Sequence, residues 1–510
     1  MATFFPKNNY LMRRFLLLLS VCTAGVAQAQ KIPDPKPFAK TITQDDLKKH
    51  LYIVAGKDFE GRETATEGQR KAAAYIENDF RSLGLKPGNG DSYQLYYPVF
   101  QDSLEKAELS VNDQSFTLDK DFFASVGANY NAELLGSEIV FAGYGISDNS
   151  RDDYKGLDVK GKIVLVLGGQ PAGAAQPAGR RGAGFYAKQE AAQKNGAAGV
   201  LILQPNVPRM LVAPKGNMYL NEYKKVIYPS SFYITEKVAQ AILGDDYKTA
   251  AAGVAQPKPY TVNVKMGFHK NTLQLKSSDV LGFLEGSDLK DQIVVLSAHY
   301  DHLGKRDTVI YYGADDDGSG TVSILELAEA FVKAKAAGKG PRRSILFLAN
   351  SGEEKGLFGS QYYSEHPTYP LDHTTVDLNI DMIGRIDPNR KTGDSTNYVY
   401  VVGDDKLSTD LKPISEGVNK KYTRLELDYK FNDPADPERI YYRSDHYNFA
   451  RKGVPIIFYF DGIHKDYHRP SDTPDKINYD IMEKRARFVF FTAWEMANRN
   501  DMLKRDIPLN

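Results

Sequence analysis

His299, Asp301, Asp316, Glu353, Glu354, Asp381 and His468 have the types and placement to carry out metal-assisted hydrolysis. Each sits at or just beyond the carboxyl end of an apolar, strand-like run, the edge at which open α/β sheets build their sites. Singly, each has an ordinary reading, such as an interior histidine held by hydrogen bonds or a solvated acidic turn. Together they place imidazoles and carboxylates at successive strand ends, and burying that much negative charge without a cation costs several kcal/mol per ion. A pair of divalent cations offsets that cost. Two zinc ions about 3.5–4 Å apart need one bridging carboxylate, with nitrogen and oxygen donors on either side.

Spacing leaves some of this inventory open. In Gly313-Ala314-Asp315-Asp316-Asp317-Gly318-Ser319-Gly320 three aspartates compete for the bridging role, with Asp316 the candidate. In His299-Tyr300-Asp301, residues two apart on an extended segment point the same way, so Asp301 is placed to accept the proton of the ring nitrogen that does not face metal. His302 reads as a packing or hydrogen-bonding residue. Adjacent Glu353 and Glu354 can divide the work, one holding metal while the other takes a proton from water and passes it to the leaving amine.

The elements that must position these residues begin near Asp279, where apolar strands alternate with helices. Strands are predicted at 293–297, 344–349, 376–380, 398–402 and 454–460, with a helix over 321–335. That rhythm implies an α/β fold with a largely parallel sheet covered by helices. Upstream, Ala72, Ile76, Phe80 and Leu83 share one helical face that ends at Gly84. Between about residues 100 and 267 the texture changes to short strand-like runs at 138–142, 162–167 and 199–203, with a helix over 186–194, implying a separate β-rich module.

Composition sets the outer limits. The 510 residues, 42% apolar, can bury a large core in more than one domain. With 65 basic and 65 acidic residues there is no basic field for nucleic acid. Arg13 and Arg14, the apolar run from Phe15 to Val21, and Ala27-Gln28-Ala29 form an export signal over 1–29, followed by a Pro- and Lys-rich linker over 30–40. Cys22, the one cysteine, lies inside that signal, so the exported chain uses neither disulfides nor thiolate ligands. No later apolar run is long enough for a membrane span. The expected location is periplasmic or secreted.

The motifs Ser297-Ala298-His299-Tyr300-Asp301-His302, Gly313 to Asp317, Ser351-Gly352-Glu353-Glu354, Asp381-Met382-Ile383-Gly384 and Tyr467-His468-Arg469-Pro470-Ser471-Asp472-Thr473 stand in one order. In that order they resemble the co-catalytic di-zinc aminopeptidase family, which includes glutamate carboxypeptidase II and the transferrin receptor. The resemblance implies two Zn²⁺ per chain bridged by Asp316. It implies His299 and Asp381 on one ion, Glu354 and His468 on the other, Glu353 as general base, and a cis peptide bond after Asp316. It also implies a three-layer zinc-peptidase fold with a mostly parallel, mixed central sheet.

Glu138 to Gly145, Gly161 to Val166 and Asn195 to Val200 resemble the protease-associated domain. The implied layout is a peptidase domain in two segments, 41–100 and 268–510, with the protease-associated module inserted between them over 101–267. Substrates would be peptides or proteins with a free amino terminus. A carboxypeptidase or dipeptidase would need a cation for a free carboxylate, for which Arg443 or Arg469 would serve. A glutaminyl cyclase-like enzyme would use one zinc, and a receptor-like protein would lack ligands that are all present here. For an oxyanion, Tyr442 and Tyr467 are both within reach of a ligand motif.

Overall fold

The computed structural model describes residues 32–149, 151–171, 173, 185–204, 214–221 and 226–509; the export signal expected over 1–29 lies outside the described residues. The strands Arg343–Asn350, Thr374–Ile380 and Ile456–Phe460 are buried along their whole length and Leu289–His299 from Ile293 onward, as strands covered on both faces are, with polar residues such as Asp377 and Asn379 among the apolar ones. They pair in parallel, in the order Arg343–Asn350, Leu289–His299, Thr374–Ile380, Ile456–Phe460, which sends four carboxyl ends to one edge. Tyr398–Val402 adds antiparallel beyond Ile456–Phe460, so the sheet is mixed but mainly parallel.

Helices cover both faces. On one side lie Gln44–Val54, Glu67–Ser82, Gly320–Ala336 and Tyr479–Asn498, whose buried residues share a core with Val294, Leu296 and Phe347 of the sheet. Thr43 and Thr66 cap the first two by accepting hydrogen bonds from Asp46 N–H and Gln69 N–H, satisfying donors that a helix start leaves free. Trp494 of the last helix stacks on Phe331 with ring centroids 5.7 Å apart, tying two helices of this layer together. On the other face Phe358–Glu365 and His446–Ala450 bury Tyr363, Phe449 and Ala450 against Val295 and Leu348. The result is the three-layer α/β fold implied by the sequence.

Two long strands join the inserted module to this body. Gln94–Val111 and Lys258–Leu284 pair antiparallel along most of their length. At one end Lys258–Leu284 also pairs with Arg343–Asn350, and at the other with Ala132–Phe141. Residues 101 and 267 therefore lie inside strands, and one 16-stranded sheet runs through body and module alike. Within the module Ala132–Phe141, Ile163–Leu167, Gly199–Leu203 and Ser230–Ile234 pair in parallel. The helix Phe185–Lys194 covers the run predicted as helical over 186–194.

Candidate metal centre

The parallel edge gathers the residues singled out by sequence. His299 ends its strand, Asp381 follows Thr374–Ile380, and Glu353 and Glu354 lie on a single 3₁₀ turn just beyond Arg343–Asn350. His468 comes from the loop after Ile456–Phe460. Met382 and His468 hold positive φ of 61° and 56°, a conformation that costs roughly 1–3 kcal/mol and clusters at functional sites.

Asp316 comes from the turn before Gly320–Ala336, where the three aspartates are sorted by their backbone partners. Asp315 accepts from Gly384 N–H (2.7 Å) and pairs with His464 Nε2 (3.2 Å). Asp317 accepts from Gly320 N–H (2.8 Å), Met382 N–H (3.1 Å) and His299 N–H (3.2 Å), capping the helix and stitching two strand ends together. The side chain of Asp316 remains for the site, and the Asp316–Asp317 peptide is cis, as the resemblance implies. Gly313 enters the turn at φ 55°, and a Cβ there would meet Asp316 O at 2.3 Å and His302 Cγ at 2.5 Å, so only glycine fits.

The two carboxylate oxygens of Asp316 serve two groups. Oδ1 is 3.3 Å from His299 Nε2, which is itself 3.6 Å from Asp381 Oδ1. Oδ2 is 3.0 Å from His468 Nε2, which is 3.2 Å from Glu354 Oε2. Tetrahedral ligands at about 2.0–2.1 Å from a zinc-sized cation stand roughly 3.3 Å from one another, so these separations suit two cations sharing Asp316. His299 Nε2, Asp316 Oδ2 and Glu354 Oε1 are buried without hydrogen-bond partners. The donor set therefore fits a pair of metal ions.

His302 enters the same centre. Its Nδ1 lies 2.8 Å from Glu354 Oε1 but 3.8 Å from Asp316 Oδ2, and its ring stands edge-on to His468. Ligand atoms close enough to share a cation are also present in His302, Asp316 and Glu354. His302 Nδ1, like Glu354 Oε1, is buried without a hydrogen-bond partner, so the short contact is a close approach of an imidazole to a carboxylate rather than an aligned hydrogen bond.

Asp301 behaves differently from the spacing argument. His299 Nδ1 is 3.1 Å from the main-chain carbonyl of Asp301 and 3.7 Å from its carboxylate. The carboxylate is taken elsewhere, by the Thr64 hydroxyl (2.7 Å) and by Glu353 N–H (3.1 Å). A carbonyl can only accept, so it fixes the proton on Nδ1 and turns Nε2 toward Asp316 and Asp381. Asp301 thus holds the imidazole through its backbone and the Glu353 turn through its side chain.

The electrostatics call for positive charge. Burial opposes a charged His299, yet Asp381 and Glu353 raise it well above the usual imidazole range. His468 is likewise disfavoured by burial and raised to about 10 by Asp316 and Glu354. Burial pushes the Glu353 carboxyl well above the ordinary range; His299 opposes this, while Glu354 and Asp381 add to it. Glu354 and Asp316, despite burial, are held low by their imidazole partners.

Two positioning residues have no role assigned from the sequence. Asp472 Oδ2 accepts from Asp315 N–H (3.0 Å) and Asp316 N–H (3.3 Å), holding the turn open toward the site. Arg62, fully buried, donates to four main-chain carbonyls around it: Val54, Tyr300, Tyr312 and Gly313. Asp472 stands within a quoted motif, whereas Gly61-Arg62, in a turn between helices, marks only the first peptidase segment and its spacing says nothing of the site.

Residues 279–493, which hold every ligand candidate, match the model of peptidase family M28, and residues 130–242 match that of the PA domain. Residues 279–493 are thus similar to peptidase family M28. Among similar proteins, a probable leucine aminopeptidase of Arthroderma otae is 31% identical over 217 residues, 41% of this chain and 56% of that protein. The match thus spans little more than half the length of that relative. Leucine aminopeptidase 2 of the same organism is 24% identical, with 96% of this chain and 93% of the relative covered. The solved aminopeptidase from Aneurinibacillus sp. strain AM-1 superposes with TM-score 0.57 at 19% identity, covering 94% of this chain and all of that one. A zinc aminopeptidase from Bacillus subtilis gives 0.52 at 20% identity over 92% of this chain and 99% of that one. These two likenesses show a fold shared with those proteins.

Proposed function

We propose that the chain is an exported zinc aminopeptidase that removes residues from the free amino ends of peptides. In this reading 41–100 and 268–510 form the peptidase and 101–267 an inserted PA module. The observation that carries it is the shared carboxylate of Asp316, with one oxygen beside His299 and Asp381 and the other beside His468 and Glu354. Relatives named leucine aminopeptidase and neighbours titled zinc aminopeptidase support the reaction class. The sequence 13–29 supports export, and no helix among the described residues is long and apolar enough to cross a membrane.

His299, Asp381, Glu354, His468 and bridging Asp316 would hold two zinc ions. When bound, such a pair polarises a carbonyl and lowers the pKa of water. Glu353 has no ligand role in this reading. Its carboxylate oxygen accepts a proton from the attacking water and then delivers it to the leaving amine. Asp301 holds the Glu353 main chain while this happens.

Tyr467 supplies the hydroxyl for the developing oxyanion. It lines the pocket with Asp316, Glu353 and Asp381 and stacks on His468 at 3.9 Å, whereas Tyr442 is 41% exposed and packs on Tyr441 and Tyr447. Burial and the Asp316 charge keep its phenol protonated, hence a donor. Tyr467→Phe is expected to lower kcat by about 10²-fold with little change in KM, as loss of one oxyanion donor does. A KM effect with unchanged kcat would assign Tyr467 to binding instead.

Metal analysis alongside hydrolysis of unblocked peptides, amino-acid anilides and amino-acetylated peptides tests the whole reading. The expected result is two zinc per chain, with cleavage only where the amino terminus is free. Equal cleavage of acetylated peptides would sink it.

A further inference from the structure

The pocket that opens onto the metal centre carries one cationic side chain. Its floor includes Asp316, Glu353 and Asp381, and Met382, Phe458 and Phe460 give it apolar walls. Arg443 lines the same pocket beside Tyr467. The backbone that carries Arg443 is firmly placed. Its N–H donates to Ile440 O at 3.0 Å, and the next residue, Ser444, is buried and receives a hydrogen bond from the Asn379 amide at 2.9 Å.

The guanidinium itself has donors to spare. Nη2 donates to the Tyr467 hydroxyl at 3.3 Å, and Nη1 stands 3.7 Å from Glu438 Oε2, beyond hydrogen-bond distance. Glu438 is 59% exposed, so that pair is a screened rim contact that a ligand displaces at little cost. Arginine presents five N–H donors in a planar fork that matches a carboxylate, and the apolar walls reduce the screening such a pair would meet in water.

We propose that Arg443 recognises a substrate carboxylate, so that the preferred substrates carry one within a single residue of the scissile bond. This rests on the aminopeptidase reading of the same pocket. Two substrate types offer that group, namely an acidic side chain on the first residue and the free carboxyl terminus of a dipeptide. Both fall within the reach of one residue, at most about 3.3–3.6 Å of extended chain plus a side chain.

Two matched pairs of substrates separate these sources: Glu-anilide against Gln-anilide, and Leu-Leu against Leu-Leu-amide. The zinc-loaded wild-type enzyme is expected to favour the carboxylate member of at least one pair by about tenfold or more in kcat/KM, the scale of a charge-assisted pair. In Arg443→Ala that ratio should fall to near unity whatever the absolute rates, and Arg443→Lys should keep a fraction of it. The pair that responds names the source.

A residue that merely orients Tyr467 would lower both members of each pair equally and leave the ratio intact. A wild-type ratio near unity in both pairs, or a ratio that survives in Arg443→Ala, overturns the proposal and leaves the aminopeptidase reading standing. Cleavage of amino-blocked peptides with none of the unblocked ones overturns both.

Discussion

Glu353→Gln is expected to retain the full metal complement while kcat falls by about 10²–10⁴-fold, the contribution of a well-placed general base. The amide has nearly the same shape but cannot accept a proton and pass it on. The main-chain N–H of residue 353 still donates to Asp301 Oδ1, so the turn stays in place. Metal retention is the discriminating readout. Glu353 Oε2 lies 3.9 Å from His299 Nε2, longer than the 3.3 Å and 3.6 Å that Asp316 and Asp381 keep from the same nitrogen. Neighbouring Glu354, by contrast, has His302 on one oxygen and His468 on the other. Metal analysis and steady-state kinetics of Glu353→Gln check this. Loss of a metal equivalent would make Glu353 a ligand, and activity within tenfold of wild type would remove it from the proton path.

The strand ends that carry the site are legible because strands buried on both faces are rich in apolar residues; where Asp377 and Asn379 interrupt one of them, the Ser297 hydroxyl donates to their side-chain oxygens. The runs at 293–297, 344–349 and 376–380 predict the cores of Leu289–His299, Arg343–Asn350 and Thr374–Ile380. Which aspartate faces the site was not legible from spacing. It depends on Gly384, Met382 and His299 supplying the N–H groups that occupy Asp315 and Asp317, and these come from distant strands. The same limit applies to Asp301, whose carboxylate is claimed by Thr64 from the first segment of the chain. The ribbon of Gln94–Val111 and Lys258–Leu284 escaped notice for another reason. It passes between two cores, so its exposure varies along its length and polar residues such as Asp102, Glu105 and Lys106 interrupt any apolar alternation. Buried Asp102 is compatible with a strand because Lys270 Nζ, 2.7 Å away on the partner strand, pairs with one oxygen while the Tyr219 and Thr272 hydroxyls donate to the other.

Arg62→Ala is expected to lower stability by about 3–5 kcal/mol, since it leaves several buried carbonyls without a donor at about 1–3 kcal/mol each. Arg62 is fully buried and forms no ion pair at contact distance. Its donors go instead to the carbonyls of Tyr300 (2.7 Å), Val54 (3.0 Å), Tyr312 (2.7 Å) and Gly313 (2.9 Å). Burial lowers its pKa, and the charges of Asp301, Asp316, Asp317 and Asp472 work against that, so the site's acids help to keep the guanidinium charged. Truncation to alanine leaves four carbonyls facing a cavity and removes a positive charge from behind an acidic centre. Both effects act on the two segments that frame the metals, His299 to Asp301 and Gly313 to Asp317. Thermal unfolding should show a midpoint lower by on the order of 10 °C, with weaker zinc retention on dialysis. Arg62→Lys would hold the charge but reach fewer of the four carbonyls, so it should fall between the two in both readouts. An alanine variant as stable as wild type would mean that water replaces the guanidinium at those carbonyls, and that the frame of the metal centre is set by the sheet and the Asp472 contacts alone.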